Sequence, residues 1–304
     1  MDEKPEITVI TATYNSSQTL FYTLKSLLNQ TFQKYEAWII GDGCADDSEK
    51  IVMSFSDKRL HWFNRKSNSG RQGAPNNDGL RRARGKYIAY LGHDDLWLPH
   101  HLATLHKIVT KENIDFAYPI TAGIGPNRIE YVYGQSFYGL SFDNFMTPPS
   151  SWFHRKDLID KIGFWSENYL DLSETQDKDF FTRAYKSGAT MRAIPRLSVI
   201  KFPSPSWKSY KKRTELKKAI ETYWTKIEVD SDRFLVDLLT QITFEYSRYN
   251  DQMIMPPIKC LRMVLKYFYH EIINFYGRNR FPLKNFLHFL NQRRRVRIDK
   301  IRGL

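Results

Sequence analysis

The sequence predicts an α/β fold with a mostly parallel central sheet, flanking helices and a helical, basic C-terminal region. Through the first hundred residues, short β-rich runs alternate with segments of helical periodicity. Short connections between such elements give parallel strands that are covered by helices on both faces. Charge separates the C-terminal region, since residues 206–304 hold 21 of the 46 Lys and Arg but 10 of the 33 Asp and Glu. Residues 1–205 are therefore nearly neutral.

The N-terminal elements follow one another in a regular order. Four strands are predicted, and each is bounded by turn residues. The strands are Ile7–Thr11, Tyr35–Ile40, Leu60–Asn64 and Tyr87–Leu91. Helices are predicted after Asn15-Ser16-Ser17, over Asp46–Phe55, and from Pro75 towards Ala83. The fourth strand is apolar along its length, which predicts a central, buried position.

Polar residues stand where these strands end. They form three clusters: Thr13-Tyr14-Asn15, Asp42, and Asp94-Asp95. Open α/β sheets bind ligands outside the carboxyl ends of their strands. The sequence therefore predicts a binding site at that edge.

The chain is less regular after Ile114, and a second ordered block is predicted from Ser150 to Pro195. Residues 208–250 are predicted to form two helices, and an amphipathic helix follows from Ile258. An Arg-rich end comes after it, at Arg293-Arg294-Arg295. Neither a secretory signal nor a membrane span is predicted. The two distant cysteines are expected to be reduced thiols of an intracellular protein.

The acidic pair Asp94-Asp95 offers hard oxygen ligands directly after a buried strand. Mg²⁺ and Mn²⁺ prefer such ligands and complete their shell with water and substrate phosphates. A metal at this point would neutralise the charge of a leaving diphosphate. The alternative is that the pair caps a helix that begins near Pro99.

An ordered series of motifs resembles glycosyltransferase family 2. The series covers roughly residues 5–105, and a weaker continuation covers Ser150–Pro195. Its motifs are Thr11-Ala12-Thr13-Tyr14-Asn15, Gln30-Thr31-Phe32, Gly41-Asp42-Gly43 with Asp46-Asp47, Asn68-Ser69-Gly70 with Ala74-Pro75-Asn76, Gly85-Lys86-Tyr87-Ile88 and Asp94-Asp95. The resemblance implies the GT-A fold and inverting transfer of a sugar from a nucleotide diphosphate. It divides the catalytic domain, residues 1–205, into a nucleotide-sugar half at 5–105 and an acceptor half at 106–205.

The resemblance also implies roles for individual residues. Tyr14 would stack on the nucleobase, Asp42 would accept a hydrogen bond from it, Asp94 would contact the ribose, and Asp95 would bind Mn²⁺ or Mg²⁺. The nucleotide-sugar site would further include Thr11, Ala12, Thr13 and, at the diphosphate, Arg71. The chain departs from the family pattern at Gly92, Pro75 and Gln176, where the family has Asp, Arg and Glu.

Asp177 matches the family's catalytic base, which takes the proton of the acceptor hydroxyl. Asp179 is a weaker candidate for the base, and Glu174 is a third. Alternatively, both aspartates only favour a helix N-terminus electrostatically. His100 and His101 are expected at the surface of the helix that follows the acidic pair.

The predicted function is single-sugar transfer, because the motif and membrane spans of processive members are absent from the sequence. The predicted donor is a UDP-linked sugar, and the predicted acceptor is a glycan or a lipid-linked oligosaccharide. The C-terminal basic helices suit peripheral contact with an anionic membrane, on the inner face of the cell membrane. The alternative is an amphipathic helix that packs on the catalytic domain and has a solvated basic end. A non-catalytic nucleotide-sugar or glycan-binding module is the alternative. No nucleic-acid partner is expected.

Overall fold

The computed structural model describes residues 4–134, 147–168, 172, 174–207 and 210–251. In these residues, nine strands form one sheet: β1 (Ile7–Thr13), β2 (Tyr35–Gly41), β3 (Leu60–Asn64), β4 (Tyr87–Tyr90), β5 (Leu96–Trp97), β6 (Phe116–Ile124), β7 (Ile129–Tyr133), β8 (Phe153–Arg155) and β9 (Met191–Lys201). The helices are α1 (Ser17–Leu28), α2 (Ser48–Ser54), α3 (Gly73–Arg82), α4 (His101–Glu112), α5 (Leu158–Ile162), α6 (Gln176–Lys186) and α7 (Tyr210–Asp251). The strand order is β3-β2-β1-β4-β8-β6-β9-β5, and β7 pairs with β6.

The first four strands form a continuous parallel half of the sheet. β1 lies between β2 and β4 and is parallel to both, and β3 extends the sheet beyond β2. β8 joins this half to β6 through antiparallel pairs on both sides. β6 and β9 are parallel, whereas β7 and β5 are antiparallel to their partners. The predicted fold class is therefore confirmed, with the fourth strand central and buried.

Two apolar layers cover the sheet, as expected for an α/β fold. On one face, side chains of α1, α2 and α4 pack on the strands; Leu24, Val52 and Leu105 are examples. On the other face, α3, α5 and α6 contribute Leu80, Ile159, Phe180 and other side chains. The side chains of β1 alternate between these layers, and this period of two fixes the register of a central strand.

Helix α7 extends the apolar core beyond residue 205. Its residues Ile220, Trp224 and Ile227 pack with strand residues such as Leu96 and Ile200. The backbone at Asp230 is non-helical and divides α7 into two segments, in agreement with the two predicted helices. The contacts between residues divide the chain into two units, residues 1–243 and residues 244–304. The domain boundary at 205/206 stays a prediction. The helix from Ile258, Cys260 and the Arg-rich end lie outside the described residues.

Two local expectations were wrong. His101 is completely buried rather than exposed, because its ring stacks on Trp97 and its Nδ1 bonds the Ser198 hydroxyl at 2.9 Å. The irregular stretch after Ile114 contains the nine-residue strand β6, in which turn-forming residues are buried in the sheet.

Candidate active site

The ends of β2, β1 and β4 meet at one edge of the sheet, where the sequence predicts a binding site. The Asp42 amide donates to the Thr13 carbonyl at 2.8 Å, which ties the end of β2 to the end of β1. On the other side, His93 Nδ1 donates to the Ala12 carbonyl at 3.1 Å. The three polar clusters are therefore neighbours in space.

Asp42 is buried, and its two carboxylate oxygens are in different environments. Oδ2 accepts hydrogen bonds from the Ser69 amide at 3.0 Å and the Ser69 hydroxyl at 2.8 Å. Oδ1 has no hydrogen-bond partner in the described part of the chain and lies 3.4 Å from Arg65 Nε. The hydroxyls of Thr11 and Thr13 also have no partner there. Asp42 is held in a fixed orientation, and its Oδ1 can still accept a hydrogen bond from a ligand that donates one.

Tyr14 is presented at the tip of a tight turn and is 46% exposed. The next residue, Asn15, has φ 45°, a conformation that asparagine tolerates better than most residues. Its side-chain Oδ1 accepts from the Ala45 backbone amide at 2.9 Å, and its own backbone amide donates to Cys44 Sγ at 3.4 Å. The loop after β2 therefore holds an exposed aromatic ring at the edge of the site.

Arg71 lies in the loop that leads into α3, and its side chain is exposed. Gly70 precedes it with φ 78°, which places the turn in the left-handed region that glycine favours. The predicted contact of Arg71 with a diphosphate stays a prediction.

Asp95 is completely buried, and both of its carboxylate oxygens are engaged. Lys201 Nζ lies 2.9 Å from Oδ2, which also accepts a hydrogen bond from the Ser150 hydroxyl, and the Phe202 amide donates to Oδ1 at 3.1 Å. Although burial lowers the pKa of Lys201, the carboxylates of Asp95 and Asp94 raise it above the ordinary value of a lysine. Lys201 therefore neutralises Asp95 inside the protein.

Asp94 is only half-buried. Burial and the charge of Asp95 raise the pKa of its carboxyl above the ordinary value. A nearby cation would favour the ionised form of this group.

The acidic side chains here would suit a divalent cation only if phosphate groups of a bound ligand supplied most of its coordination. The family's additional aspartate would displace the Asp95 carboxylate, because a Cβ on Gly92 would lie 2.7 Å from Asp95 Oδ2. Among the described residues, no group of three or more His, Cys, Asp or Glu side chains surrounds a metal position. Mg²⁺ is often bound by one or two carboxylates and substrate phosphates, and Asp94 meets that requirement. Asp95 as the direct ligand stays a prediction, and it requires the carboxylate to leave Lys201.

The three candidate bases differ in their partners. Asp179 accepts from the Ser166 hydroxyl at 2.7 Å and forms an ion pair with Arg183 at 2.9 Å. Glu174 forms an ion pair with Lys178 at 3.3 Å. Asp177 is half-buried, and within the described residues neither an ion pair nor a hydrogen bond involves its carboxylate. This arrangement favours Asp177 as the group that is available to a substrate.

Gln176 joins the N-terminus of α6 to the first residue of α3, which follows the loop that carries Arg71. Its Oε1 accepts from the Gly73 amide at 3.1 Å, and its Nε2 donates to the Ser166 carbonyl at 2.6 Å. The residue immediately before Asp177 is therefore bonded to the first residue of α3. The two halves of the predicted catalytic domain meet at this point.

Sequence reasoning missed Lys201, Ser150 and Arg65. Lys201 had a visible signal, because it is a lysine at the end of the apolar run from Leu197 to Phe202. A charge that interrupts a buried strand needs a partner, and the acidic pair was available. Ser150 and Arg65 gave no comparable signal, since serines and arginines are common in loops.

The fold, with its site at the carboxyl ends of the parallel strands, is of the GT-A glycosyltransferase class. Residues 8–168 match the model of Glycosyl transferase family 2. Because the match covers more than half of the chain, the chain belongs to that family.

Individual relatives match over shorter segments. The UDP-Glc:alpha-D-GlcNAc-diphosphoundecaprenol beta-1,3-glucosyltransferase WfgD of Escherichia coli is 31% identical over 112 residues, which are 37% of this chain and 44% of WfgD. The putative teichuronic acid biosynthesis glycosyltransferase TuaG of Bacillus subtilis is 31% identical over 117 residues, 38% of this chain and 46% of TuaG. The chain therefore matches less than half of the length of each.

Solved structures support the fold over a larger part of the chain. The crystal structure of S. aureus TarS 1-349 in complex with UDP-GlcNAc superimposes with a TM-score of 0.56 and 21% identity, over 81% of this chain and 74% of that one.

Proposed function

We propose that this chain is an inverting, divalent-metal-dependent glycosyltransferase that transfers a single sugar from a UDP-linked donor to a hydroxyl of a glycan or lipid-linked oligosaccharide. The observation that carries the proposal is the meeting of Tyr14, Asp42 and Asp94 at one strand edge, with the available carboxylate of Asp177 on the neighbouring helix. WfgD uses UDP-Glc and a diphosphoundecaprenol-linked acceptor by its name, which supports this choice of donor and acceptor. TuaG supports a place in surface polysaccharide biosynthesis.

On this proposal, the exposed ring of Tyr14 stacks on the uracil and Asp42 Oδ1 accepts its N–H. Asp94 supplies the accessible carboxylate for the cation, and Arg71 contacts the diphosphate. When bound, the divalent cation stabilises the charge that develops on the leaving diphosphate. The side chains of this chain supply the orientation of the donor and the proton acceptor.

Asp177 is the general base of the proposed reaction. Its carboxylate takes the proton of the acceptor hydroxyl while the acceptor oxygen forms a bond to the anomeric carbon. The bond from that carbon to the diphosphate oxygen breaks at the same time, so the anomeric configuration is inverted. The ion pairs of Asp179 with Arg183 and of Glu174 with Lys178 support the choice of Asp177 over these two residues.

Thermal unfolding with nucleotides tests the donor assignment. We expect UDP with Mn²⁺ to raise the Tm more than GDP with Mn²⁺ or UDP with a chelator, because a ligand that binds the native state stabilises it. Asp42→Ala should lose the preference for UDP. If no nucleoside diphosphate raises the Tm, the proposed donor class is wrong.

Turnover tests the base independently of donor binding. Asp177→Asn should keep the Tm increase with UDP and Mn²⁺ but lower kcat by about 10²–10⁴-fold, the usual contribution of a positioned base. Asp179→Asn is the matched control, and it should lower stability more than kcat. A wild-type rate in Asp177→Asn would refute the assignment. Donor binding without hydrolysis or transfer to any acceptor would favour the non-catalytic module.

A further inference from the structure

The amide of Gln176 lies in the seam between the two halves of the catalytic domain. It is 5% exposed, and it bonds the first backbone amide of α3 and the carbonyl of Ser166. A Cβ on Gly73 would lie 2.5 Å from Gln176 Nε2, so the absence of a side chain at Gly73 permits this approach. The position immediately precedes Asp177.

The geometry requires one donor and one acceptor on the same side chain. The Gly73 amide can only donate, and the Ser166 carbonyl can only accept. A glutamine satisfies both with Oε1 and Nε2. An ionised glutamate, the residue of the family pattern, would place a carboxylate oxygen 2.6 Å from a carbonyl oxygen and leave that carbonyl without a donor.

Further hydrogen bonds show that the seam continues along α3. Asn77, one turn after Gly73, accepts from the Trp165 amide at 2.9 Å and donates to the Trp165 carbonyl at 2.9 Å. Ser166 donates to Asp179 at 2.7 Å, and Arg183 bonds the same carboxylate. The segment from Trp165 to Ser166 is therefore fixed between α3 and α6.

We infer that Gln176 is a positioning residue, whose neutral amide holds the helix of the base against the donor loop. This inference rests on the proposed function, in which Asp177 is the base and the loop before Gly73 contacts the donor. Gln176 sets the position of the Asp177 carboxylate relative to the donor, while Gln176 itself contacts neither substrate. An amide stands here in place of the family's glutamate because the side chain must both accept from the Gly73 amide and donate to the Ser166 carbonyl.

The substitution Gln176→Glu tests the inference, because a protonated glutamate can still donate once and accept once. At pH 5 we expect its Tm and its kcat for hydrolysis of UDP-glucose or UDP-GlcNAc with Mn²⁺ to lie close to wild type at that pH. At pH 8 we expect a lower Tm and a kcat that is at least tenfold below wild type. The KM for the donor should change less than twofold, because the residue does not contact the nucleotide.

Asn77→Asp is the matched control, since it makes the same amide-to-carboxylate change in the same seam away from the base. Its Tm should also fall at pH 8, while its kcat should keep the wild-type pH profile. Equal Tm values for Gln176→Glu and wild type at both pH values would overturn the two-bond geometry. A pH-dependent Tm with a wild-type kcat would overturn the positioning role.

The inference and the proposed function fail in different ways. If the wild-type protein hydrolyses neither UDP-sugar and UDP does not raise its Tm, the proposed function is wrong and the positioning role falls with it. If the wild-type protein is active and Gln176→Glu matches it at pH 8, only the inference is wrong.

Discussion

Asp94 and Asp95 are adjacent in the chain but have different environments. Asp95 is completely buried against Lys201, whereas Asp94 is half-buried. Removing one partner of a buried ion pair leaves the other charge without compensation, which costs far more than an exposed pair is worth. We therefore expect Asp95 to stabilise the fold through Lys201 and Asp94 to be the carboxylate that a ligand reaches, while Asp95 as the direct metal ligand stays a prediction.

This difference predicts opposite effects for two matched substitutions. Asp95→Asn should lower the free energy of unfolding by about 3–5 kcal/mol at pH 7, because it leaves Lys201 without its partner. Asp94→Asn should leave it unchanged or raise it, because a half-buried charge beside another carboxylate is removed. Urea unfolding measures both values.

The same pair of variants separates the two metal assignments. UDP binding that depends on Mn²⁺ should be lost in Asp94→Asn. If instead Asp95→Asn keeps the stability of the wild type and its UDP binding no longer depends on Mn²⁺, then Asp95 is the direct ligand of the metal. Its contact with Lys201 would then be replaced when the donor binds.

At this scale the sequence predicted which residues stand at the site better than it predicted their roles. Tyr14 is exposed, Asp177 is half-buried and Asp42 Oδ1 accepts no hydrogen bond in the described part of the chain, which is compatible with the predicted roles. The environment of Asp95 depends on Lys201, which lies 106 positions later in the chain. A long-range partner of this kind is fixed by the sheet order, so local spacing cannot show it.

At the scale of elements, the acceptor half is held together by an aromatic cluster with a polar centre. Trp152 stacks on Trp165 and Phe180, and Trp165 Nε1 donates to the Tyr90 hydroxyl at 3.1 Å. That hydroxyl lies 3.2 Å from His154 Nε2, and His154 Nδ1 lies 2.8 Å from the Arg155 carbonyl. Neutral His154 therefore has one donor and one acceptor satisfied, and a second proton has no place in this arrangement.

Burial lowers the pKa of His154 from 6.5 to about 4, which predicts a dependence of stability on pH. The unfolded chain binds a proton at His154 below about pH 6.5, while the folded chain does so only below about pH 4. The free energy of unfolding should therefore fall as the pH falls from about 6.5 to about 4. In His154→Gln this slope should be smaller, though still present, because burial also lowers the pKa of His101. Urea unfolding across this range measures the slope, and an identical slope in both proteins would contradict the prediction.

Sequence periodicity located the elements of the parallel half β1–β4 within a few residues but did not predict β6 in the mixed remainder of the sheet. The predicted strand Leu60–Asn64 matches β3 residue for residue, and Pro75 lies in the first turn of α3. By contrast, β6 was not predicted, because Pro119 and Gly123 are turn-forming residues. Pairing with β9 on one side and β7 on the other overrides that local preference.

At the scale of the whole molecule, the C-terminal region has two parts with different character. Residues 206–251 contain 9 Lys and Arg against 8 Asp and Glu, and Trp207, Trp224 and Leu238 of this part are buried in the core. Residues 252–304 contain 12 against 2 and carry most of the excess charge. Within the described residues, no helix has the length and hydropathy that crossing a bilayer requires. The predicted contact with an anionic surface is therefore assigned to residues 252–304.

Two truncations test the domain organisation. A chain that ends at 205 should fail to fold cooperatively, because it exposes Leu96, Ile200 and Phe202, which α7 covers. A chain that ends at Asp251 should keep a cooperative thermal transition and its response to UDP and Mn²⁺. Cooperative unfolding of the shorter chain would show that α7 is dispensable and would support the boundary at 205/206.

The chain that ends at Asp251 also tests the membrane prediction. Each Lys or Arg near an anionic surface contributes about 1 kcal/mol, so a net charge of about +10 in residues 252–304 is sufficient for peripheral attachment. We expect the full chain to sediment with liposomes that contain anionic lipid at low salt and to be released from them by high salt. It should not sediment with neutral liposomes. The truncated chain should remain in the supernatant in all three conditions. Equal sedimentation of both chains would place the attachment in residues 1–251 and remove the role of the basic C-terminal part.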